Sequence, residues 1–336
     1  MKTRILFICL TLLSLKGFSD SAMPGVWVAG GTRKLTLLYP EDSIAYNKIQ
    51  MKKELVSIQL YKGYAVVKGE YWMYNDTKDT FRIKTGYPLN SESDGKIVQS
   101  MLFDSLSQLQ VLVDGQPAKI ISAPINFTDT VKKNYEYLNW YVWLTTFKPK
   151  GYTKIDVYFI VNTNYASITG GGYNRADYNG FIYILESGST WKQPIEQGAV
   201  IVQLMDDIKI ADIHGVNPQT IFAYNEPNQL LKYTFNNLSP TPDNNIIITY
   251  SNDLSNFDFG AVVKNKQSCF KAIDSLSHIN LAILSFKPMS FNYPTHIPHS
   301  GVNPLILFFG LCIGGVFLVI VIIIIAIILI RKRLKK

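Results

Sequence analysis

The stretch Leu55-Val56-Ser57-Ile58-Gln59-Leu60-Tyr61-Lys62-Gly63-Tyr64-Ala65-Val66-Val67-Lys68-Gly69-Glu70-Tyr71-Trp72-Met73-Tyr74 sets the fold class. Val56, Ile58 and Leu60 alternate with Ser57, Gln59 and Tyr61. Beyond Lys62-Gly63, a second run places Ala65, Val67, Gly69, Tyr71 and Met73 on one face, and Asn75-Asp76 ends it. Successive side chains of a strand point to opposite faces, so this period of two predicts a pair of half-buried strands joined by a turn.

The same rhythm extends outward. Thr80–Thr85 reads as a third strand, ended by Gly86-Tyr87-Pro88. Leu109–Val113 and Ala118–Ile121 flank Asp114-Gly115, the composition of a tight hairpin turn. Trp140–Thr145 and Ile155–Val161 follow, joined across Pro149-Lys150-Gly151-Tyr152. A second series comprises Gly180–Leu185, Ala199–Leu204, Lys209–Ile213, Thr220–Tyr224, Leu230–Phe235 and Asn245–Tyr250. Ile97–Leu109 fits a short helix or a long loop, and Cys269–Leu276 fits a short helix. Strands at this spacing with Asn/Pro/Asp turns predict a mainly β chain built as two β-sandwich-like domains. The expected bounds are 23–165 and 166–284, divided near Tyr165 to Tyr178, where Thr169-Gly170-Gly171-Gly172-Tyr173-Asn174 forms a joint or exposed loop. Residues 285–304, rich in Pro, His, Asn and Phe, read as an extended spacer.

Both ends carry addresses. Lys2 and Arg4, an apolar run from Ile5 to Leu15, and small residues at Ser21-Ala22 have the layout of a secretory signal peptide over residues 1–22. Leu305–Ile330 is 26 residues without a charge. As a helix it would be roughly 39 Å long, enough to cross a ~30 Å hydrocarbon core. Arg331-Lys332-Arg333-Leu334-Lys335-Lys336 follows at once, and such residues stay on the cytoplasmic side. A single-pass membrane protein with its N-terminal ectodomain in the periplasm or outside the cell is therefore expected, its basic tail meeting anionic lipid. Gly310 and Gly314 have GxxxG spacing, which permits close helix approach and a homodimer through the span.

The formal net charge of +8 sits at these ends. Between Met23 and Asn303 the cations exceed the acids by only one. This excludes a general nucleic-acid footprint, and the 47% hydrophobic content excludes disorder over most of the chain. Of three cysteines, only Cys269 lies in the ectodomain, so no disulfide can form within it. That fits a bacterial envelope better than an animal secretory pathway, as do 27 lysines against 6 arginines. Asn75-Asp76-Thr77, Asn126-Phe127-Thr128 and Asn237-Leu238-Ser239 match the N-glycosylation sequon at a frequency near chance. Asp42-Ser43-Ile44, Asp104-Ser105-Leu106, Asp129-Thr130-Val131 and Asp274-Ser275-Leu276 resemble the O-glycosylation triplet of Bacteroidota periplasmic proteins.

Motif chemistry is sparse. The chain has no GxSxG, HExxH, CxxC, P-loop or GxGxxG, and Asp206, Asp207 and Asp212 lack calcium-loop spacing. His296 and His299 lack a third ligand nearby, and His214 and His278 are isolated. No catalytic residue, metal or cofactor is implied. Aromatics are the one excess: Tyr71, Trp72 and Tyr74 crowd one segment, and Tyr135, Tyr137, Trp140, Tyr141 and Trp143 another. Exposed aromatics on a sandwich face stack on sugars or anchor a protein partner; alternating ones fill a core. Trp72, Tyr74, Trp140, Tyr141, Trp143 and Trp191 form the candidate binding surface, with Trp140 and Tyr141 on opposite strand faces.

A family resemblance rests on Lys48 to Ile58, Tyr64 to Tyr71, Tyr74-Asn75-Asp76, Gly86-Tyr87-Pro88-Leu89, and Phe181-Ile182-Tyr183-Ile184-Leu185-Glu186-Ser187-Gly188-Ser189-Thr190-Trp191-Lys192-Gln193-Pro194-Ile195. These segments are similar to a bacterial domain-of-unknown-function family of extracytoplasmic β-rich proteins. A looser likeness is to the vault/inter-α-trypsin-inhibitor N-terminal domain. The resemblance implies a β-sandwich on the outer side of the membrane. The expected role is non-enzymatic: binding another envelope protein or scaffolding an assembly. The alternative is a carbohydrate- or ligand-binding module using the aromatic surface.

Overall fold

The alternating stretch forms an antiparallel pair, Ile49–Tyr61 with Tyr64–Asn75, closed by Lys62-Gly63. Gly63 has φ +89°, and a Cβ there would lie 2.8 Å from the Phe257 ring, so the turn needs glycine for both conformation and space. The computed structural model describes residues 25–28, 34–37, 42–88, 100–102, 107–123, 140–170, 173–175 and 178–294. In chain order the strands are β1 (Gly25–Val28), β2 (Lys34–Leu37), β3 (Ile49–Tyr61), β4 (Tyr64–Asn75), β5 (Phe81–Pro88), β6 (Ser100–Leu102) and β7 (Ser107–Val113). Then come β8 (Gln116–Pro117), β9 (Ile121–Ala123), β10 (Trp140–Phe147), β11 (Tyr152–Asn162), β12 (Ser167–Gly170), β13 (Tyr173–Arg175) and β14 (Tyr178–Tyr183). The series ends with β15 (Ile195–Leu204), β16 (Ile213–Asn217), β17 (Ala223–Asn225), β18 (Leu230–Leu238), β19 (Ile246–Asn252) and β20 (Lys287–Pro288). Helices span Ser43–Tyr46, Phe259–Lys264 and Lys266–Ser277.

A nine-stranded sheet, ordered β20-β17-β18-β15-β3-β4-β11-β7-β8, forms the frame. One face is apolar: Val56, Ile58, Val67, Tyr71, Ile155, Val157, Val200 and Val202 are buried there. The three-stranded sheets β5-β10-β9 and β14-β19-β16 supply the facing layer, with Trp143, Phe147, Phe181, Tyr183, Ile246 and Ile248 in the same core. Several polar groups inside it are paired, which offsets the cost of burying them; the Trp143 indole N–H has no hydrogen-bond partner there among the described residues. The Tyr71 and Tyr183 hydroxyls lie 2.9 Å apart, and Tyr183 donates to Glu54 Oε1 at 3.0 Å. Thr163 and Tyr250 hydroxyls meet at 2.7 Å. On the opposite face the Lys266–Ser277 helix lays Cys269, Phe270, Ile273 and Leu276 over Val66, Tyr158, Ile160, Ile201 and Leu230.

The mainly β expectation holds, and so does the tight turn at Asp114-Gly115: both residues take positive φ, and Val113 faces Gln116; the returning strand is Gln116–Pro117, not Ala118–Ile121. Three expectations are corrected. The boundary near Tyr165 to Tyr178 does not separate two sheets, because β15 pairs in parallel with β3 from Gln197↔Lys53 to Leu204↔Leu60. Parallel pairing between distant strands has no local turn signature, so the alternation alone leaves it unspecified. The 285–304 stretch begins as part of the fold: Ala223 and Tyr224 pair with Pro288 and Lys287, and Val216 N donates to Asn292 O at 2.9 Å. The strand expected over Lys209–Ile213 begins only at Ile213, the first residue of β16; Ile210–Asp212 is a 3-10 turn, with the Lys209 backbone N–H donating to Asp212 Oδ2 at 2.7 Å. Among the described residues no helix is long and apolar enough to cross a membrane; residues 1–22 and 305–330, including Gly310 and Gly314, lie outside the described residues.

Candidate functional site

β4 turns Trp72 and Tyr74 away from the main core, onto the sheet face that the Lys266–Ser277 helix covers only in part. Strand register decides their neighbours. Trp72 lies opposite Lys53 of β3 and Lys154 of β11, and Tyr74 lies opposite Tyr152. The Lys53 and Lys154 ammonium groups stand 4.6 and 5.0 Å from the Trp72 ring centroid, so this half-buried indole is cation-loaded from both neighbouring strands. Tyr74 and Tyr152 rings pack tilted at 4.8 Å, with the Lys52 ammonium 5.7 Å from the Tyr74 centroid. Tyr152 is 62% exposed and presents the outermost ring.

The charges under this face differ in availability. Lys154 is held by Glu70 at 2.7 Å and Asp156 at 2.9 Å, and Lys52 pairs with Glu196. Burial works against the Lys154 ammonium, but those two carboxylates outweigh it and raise its pKa. Burial raises the Asp156 carboxyl, opposed by Lys154. Lys53 is exposed and has no carboxylate within ion-pair distance among the described residues. Deeper along the same face, Lys68 pairs with Asp274 of the helix at 2.9 Å and donates to Ser277 Oγ at 3.0 Å, while Tyr158 donates to Asp274 at 2.8 Å. Burial opposes the Asp274 charge, yet hydrogen bonds from Lys68 and Tyr158 leave its pKa lowered.

The structure divides the six candidate aromatics. Trp72 and Tyr74 come together. Trp143 and Trp191 are corrected: both are core residues, because β10 points Trp143 inward and Trp191 packs on Tyr46 at 4.6 Å and Phe147 at 5.8 Å. Tyr141 is half-buried against the main core, and the side chain of Trp140 lies outside the described residues. Tyr152, Lys53 and Lys154 were missed by sequence reasoning. Tyr152 follows a Pro-Lys-Gly turn as the first residue of β11, and only the β4–β11 register reveals it as the partner of Tyr74. The sequon residue Asn75 is buried, its amide donating to Asp79 O at 2.8 Å and Phe147 O at 3.3 Å, so it anchors a turn. In the triplet Asp274-Ser275-Leu276, Asp274 is held by Lys68 and Leu276 is buried. Among the described residues no three His, Cys, Asp or Glu side chains converge as a metal set.

Several tyrosines predict alkaline sensitivity. Burial pushes Tyr61 up to about 12 and raises Tyr64, Tyr158 and Tyr250 further above the ordinary 10.0. The folded state then keeps protons that the unfolded chain releases. Their contribution is fully present below pH 10.0 and is lost as pH rises toward the folded values. The unfolding midpoint of the full chain is expected to fall as pH rises from about 9 to about 11.5, and more shallowly in Tyr158→Phe.

No protein-family model matches the chain, and no curated protein matches it. Solved structures share parts of its shape. A proposed nutrient-binding protein from Legionella pneumophila superposes at TM-score 0.42 with 15% identity, covering 61% of this chain and 68% of that one. An M1 zinc metallopeptidase from Deinococcus radiodurans gives TM-score 0.32 and 11% identity over 60% of this chain and 42% of the peptidase. Native yeast LTA4 hydrolase gives 0.33 and 10% over 62% and 30%. The matched region thus spans less than half of either hydrolase chain.

Proposed function

We propose that this chain is a non-enzymatic, membrane-anchored protein of the bacterial envelope whose cation-loaded aromatic face binds another envelope protein. Residues 1–22 direct export, 305–330 span the membrane, and the Arg331–Lys336 tail stays in the cytoplasm. The ectodomain is a β-sandwich-like body whose two halves share the nine-stranded sheet. It is related through the quoted strand and Trp191 segments to the extracytoplasmic β-rich family that they resemble. Gly310 and Gly314 bring spans together as a homodimer.

The observation that carries the reading is Trp72 between Lys53 and Lys154. A sugar stacks on a free aromatic face, and here the indole already carries two ammonium groups. A protein partner instead meets half-buried aromatics with adjacent cations, the residue types that dominate interface cores and specificity. The carbohydrate reading draws on Tyr152, whose ring is 62% exposed. Crosslinking in the native envelope followed by mass spectrometry separates the two. A defined protein recovered on peptides around 72–74 and 152 is the expected result. Glycan binding by the protein with no protein adduct would replace this reading by the carbohydrate one.

A further inference from the structure

The opposite end of the same sheet carries a second aromatic surface of opposite charge. At the β3–β4 turn, Tyr61 and Tyr64 stack at 4.4 Å with planes 4° apart, and Phe257 continues the ladder at 6.2 Å and 14° from Tyr64. All three rings are half-buried, and Tyr165, 59% exposed, lies beside the same end of β11. Several segments that end or begin here bring acid. Asp206 and Asp207 follow β15, Glu226 precedes β18, Asp253 and Asp258 follow β19, and Asp212 ends the turn before β16. Met205 N bonds to Leu60 O at 2.9 Å and Tyr165 N to Asp253 Oδ1 at 2.8 Å, which ties these loops together beside the ladder. Among the described residues, Lys62, Lys209, Lys264 and Lys266 share this end and are outnumbered by these six carboxylates.

The end bearing Trp72, Tyr74 and Tyr152 has the reverse balance. Among the described residues, Lys48, Lys52, Lys53, Lys150 and Lys192, with Lys78, Arg82 and Lys148 in the flanking segments, face Asp76, Asp79, Asp114, Glu196 and Asp243. Lys154 with Glu70 and Asp156 adds one further negative charge, largely buried. The two ends are thus complementary in charge, and each has rings to bury.

We infer that the protein partner of the Trp72 face is a second copy of this chain, docked head to tail through its Tyr61–Tyr64–Phe257 end. This rests on the reading that the Trp72 face binds protein. Lys53 and Lys48 of one copy meet Asp207 and Glu226 of the next, while Tyr152 packs against the ring ladder. Because the two surfaces differ, the contact is heterologous and propagates as a row or ring; an isologous span dimer closes on itself instead.

The test uses the full chain in detergent with Gly310→Ile and Gly314→Ile, which removes association through the span. Analytical ultracentrifugation follows three forms: this background, Lys48→Glu/Lys53→Glu, and Asp207→Lys/Glu226→Lys. Circular dichroism checks that each form is folded. The background is expected to self-associate and to weaken as salt rises, since exposed charges are screened over about 10 Å at 0.1 M. Each reversal alone weakens self-association by about tenfold or more, and mixing the two reversed forms restores it, because each then offers the end the other lacks. A monomeric background, reversals without effect, or a mixture that stays monomeric overturns the inference. If, in addition, a crosslinker at position 152 captures a different protein, the binding reading stands and only the identity of the partner falls. If it captures no protein at all, both fall.

Discussion

Trp191→Ala is expected to destabilise the protein by about 3–5 kcal/mol, one of the largest effects of a single truncation. Trp191 is 1% exposed and wedged against Tyr46 and Phe147. Removing the indole takes away its burial and leaves a cavity whose walls come from three separate segments, the Ser43–Tyr46 helix, β10 and the turn before β15, so local collapse cannot fill it. Tyr152→Ala, at an exposed ring, should stay within about 0.5 kcal/mol of wild type. Urea unfolding followed by far-ultraviolet circular dichroism measures both. Equal costs would mean that Trp191 is not the core residue described here.

The second large effect concerns the Lys68 cluster. The Lys68 side chain is 5% exposed and contacts Asp274, Ser277 and, at 3.7 Å, Glu70. Lys68→Met leaves carboxylates facing an apolar side chain, a change that typically costs 3–5 kcal/mol for a buried pair. Two features reduce it: Asp274 is 43% exposed and regains water, and Glu70 keeps Lys154 at 2.7 Å. A cost of about 3 kcal/mol is expected. Adding Asp274→Leu removes the stranded charge, so the double variant should be more stable than Lys68→Met alone, although Tyr158 then loses its acceptor. Amide exchange should accelerate in the Lys266–Ser277 helix of Lys68→Met. An additive double variant, with no change in exchange, would show that the cluster does not hold the helix to the sheet.

Strand positions were legible because alternation is local. Val56, Ile58 and Leu60 point into the core as the period of two requires, and the Asp114-Gly115 turn follows from its composition. Sheet membership was not, since pairing β15 with β3 joins residues 144 apart in sequence, as at Gln197↔Lys53. The candidate site was half legible for the same reason. Trp72 and Tyr74 announce themselves as aromatics two apart on one strand face. Lys53, Lys154 and Tyr152 acquire meaning only from the register of β3 and β11. Trp143 and Trp191 carried the same signal as Trp72 but face the core, because an aromatic residue alone does not state which side of a strand is covered. The charge pattern shows a similar gap. A near-zero sum between Met23 and Asn303 hides a lysine-rich end and an aspartate-rich end, which the strand directions sort out.

Site-directed photocrosslinking in living cells tests the proposed binding face most directly. A photoreactive phenylalanine analogue is placed at Tyr152 in one form and at Leu144, which is 42% exposed on β10, in another. The predicted result is a discrete protein adduct from position 152, weakened by Lys53→Glu and missing from position 144. Equal labelling from both positions, or adducts from 152 that contain glycan and no protein, would contradict the assignment of the Trp72–Tyr74–Tyr152 face as a protein-binding surface.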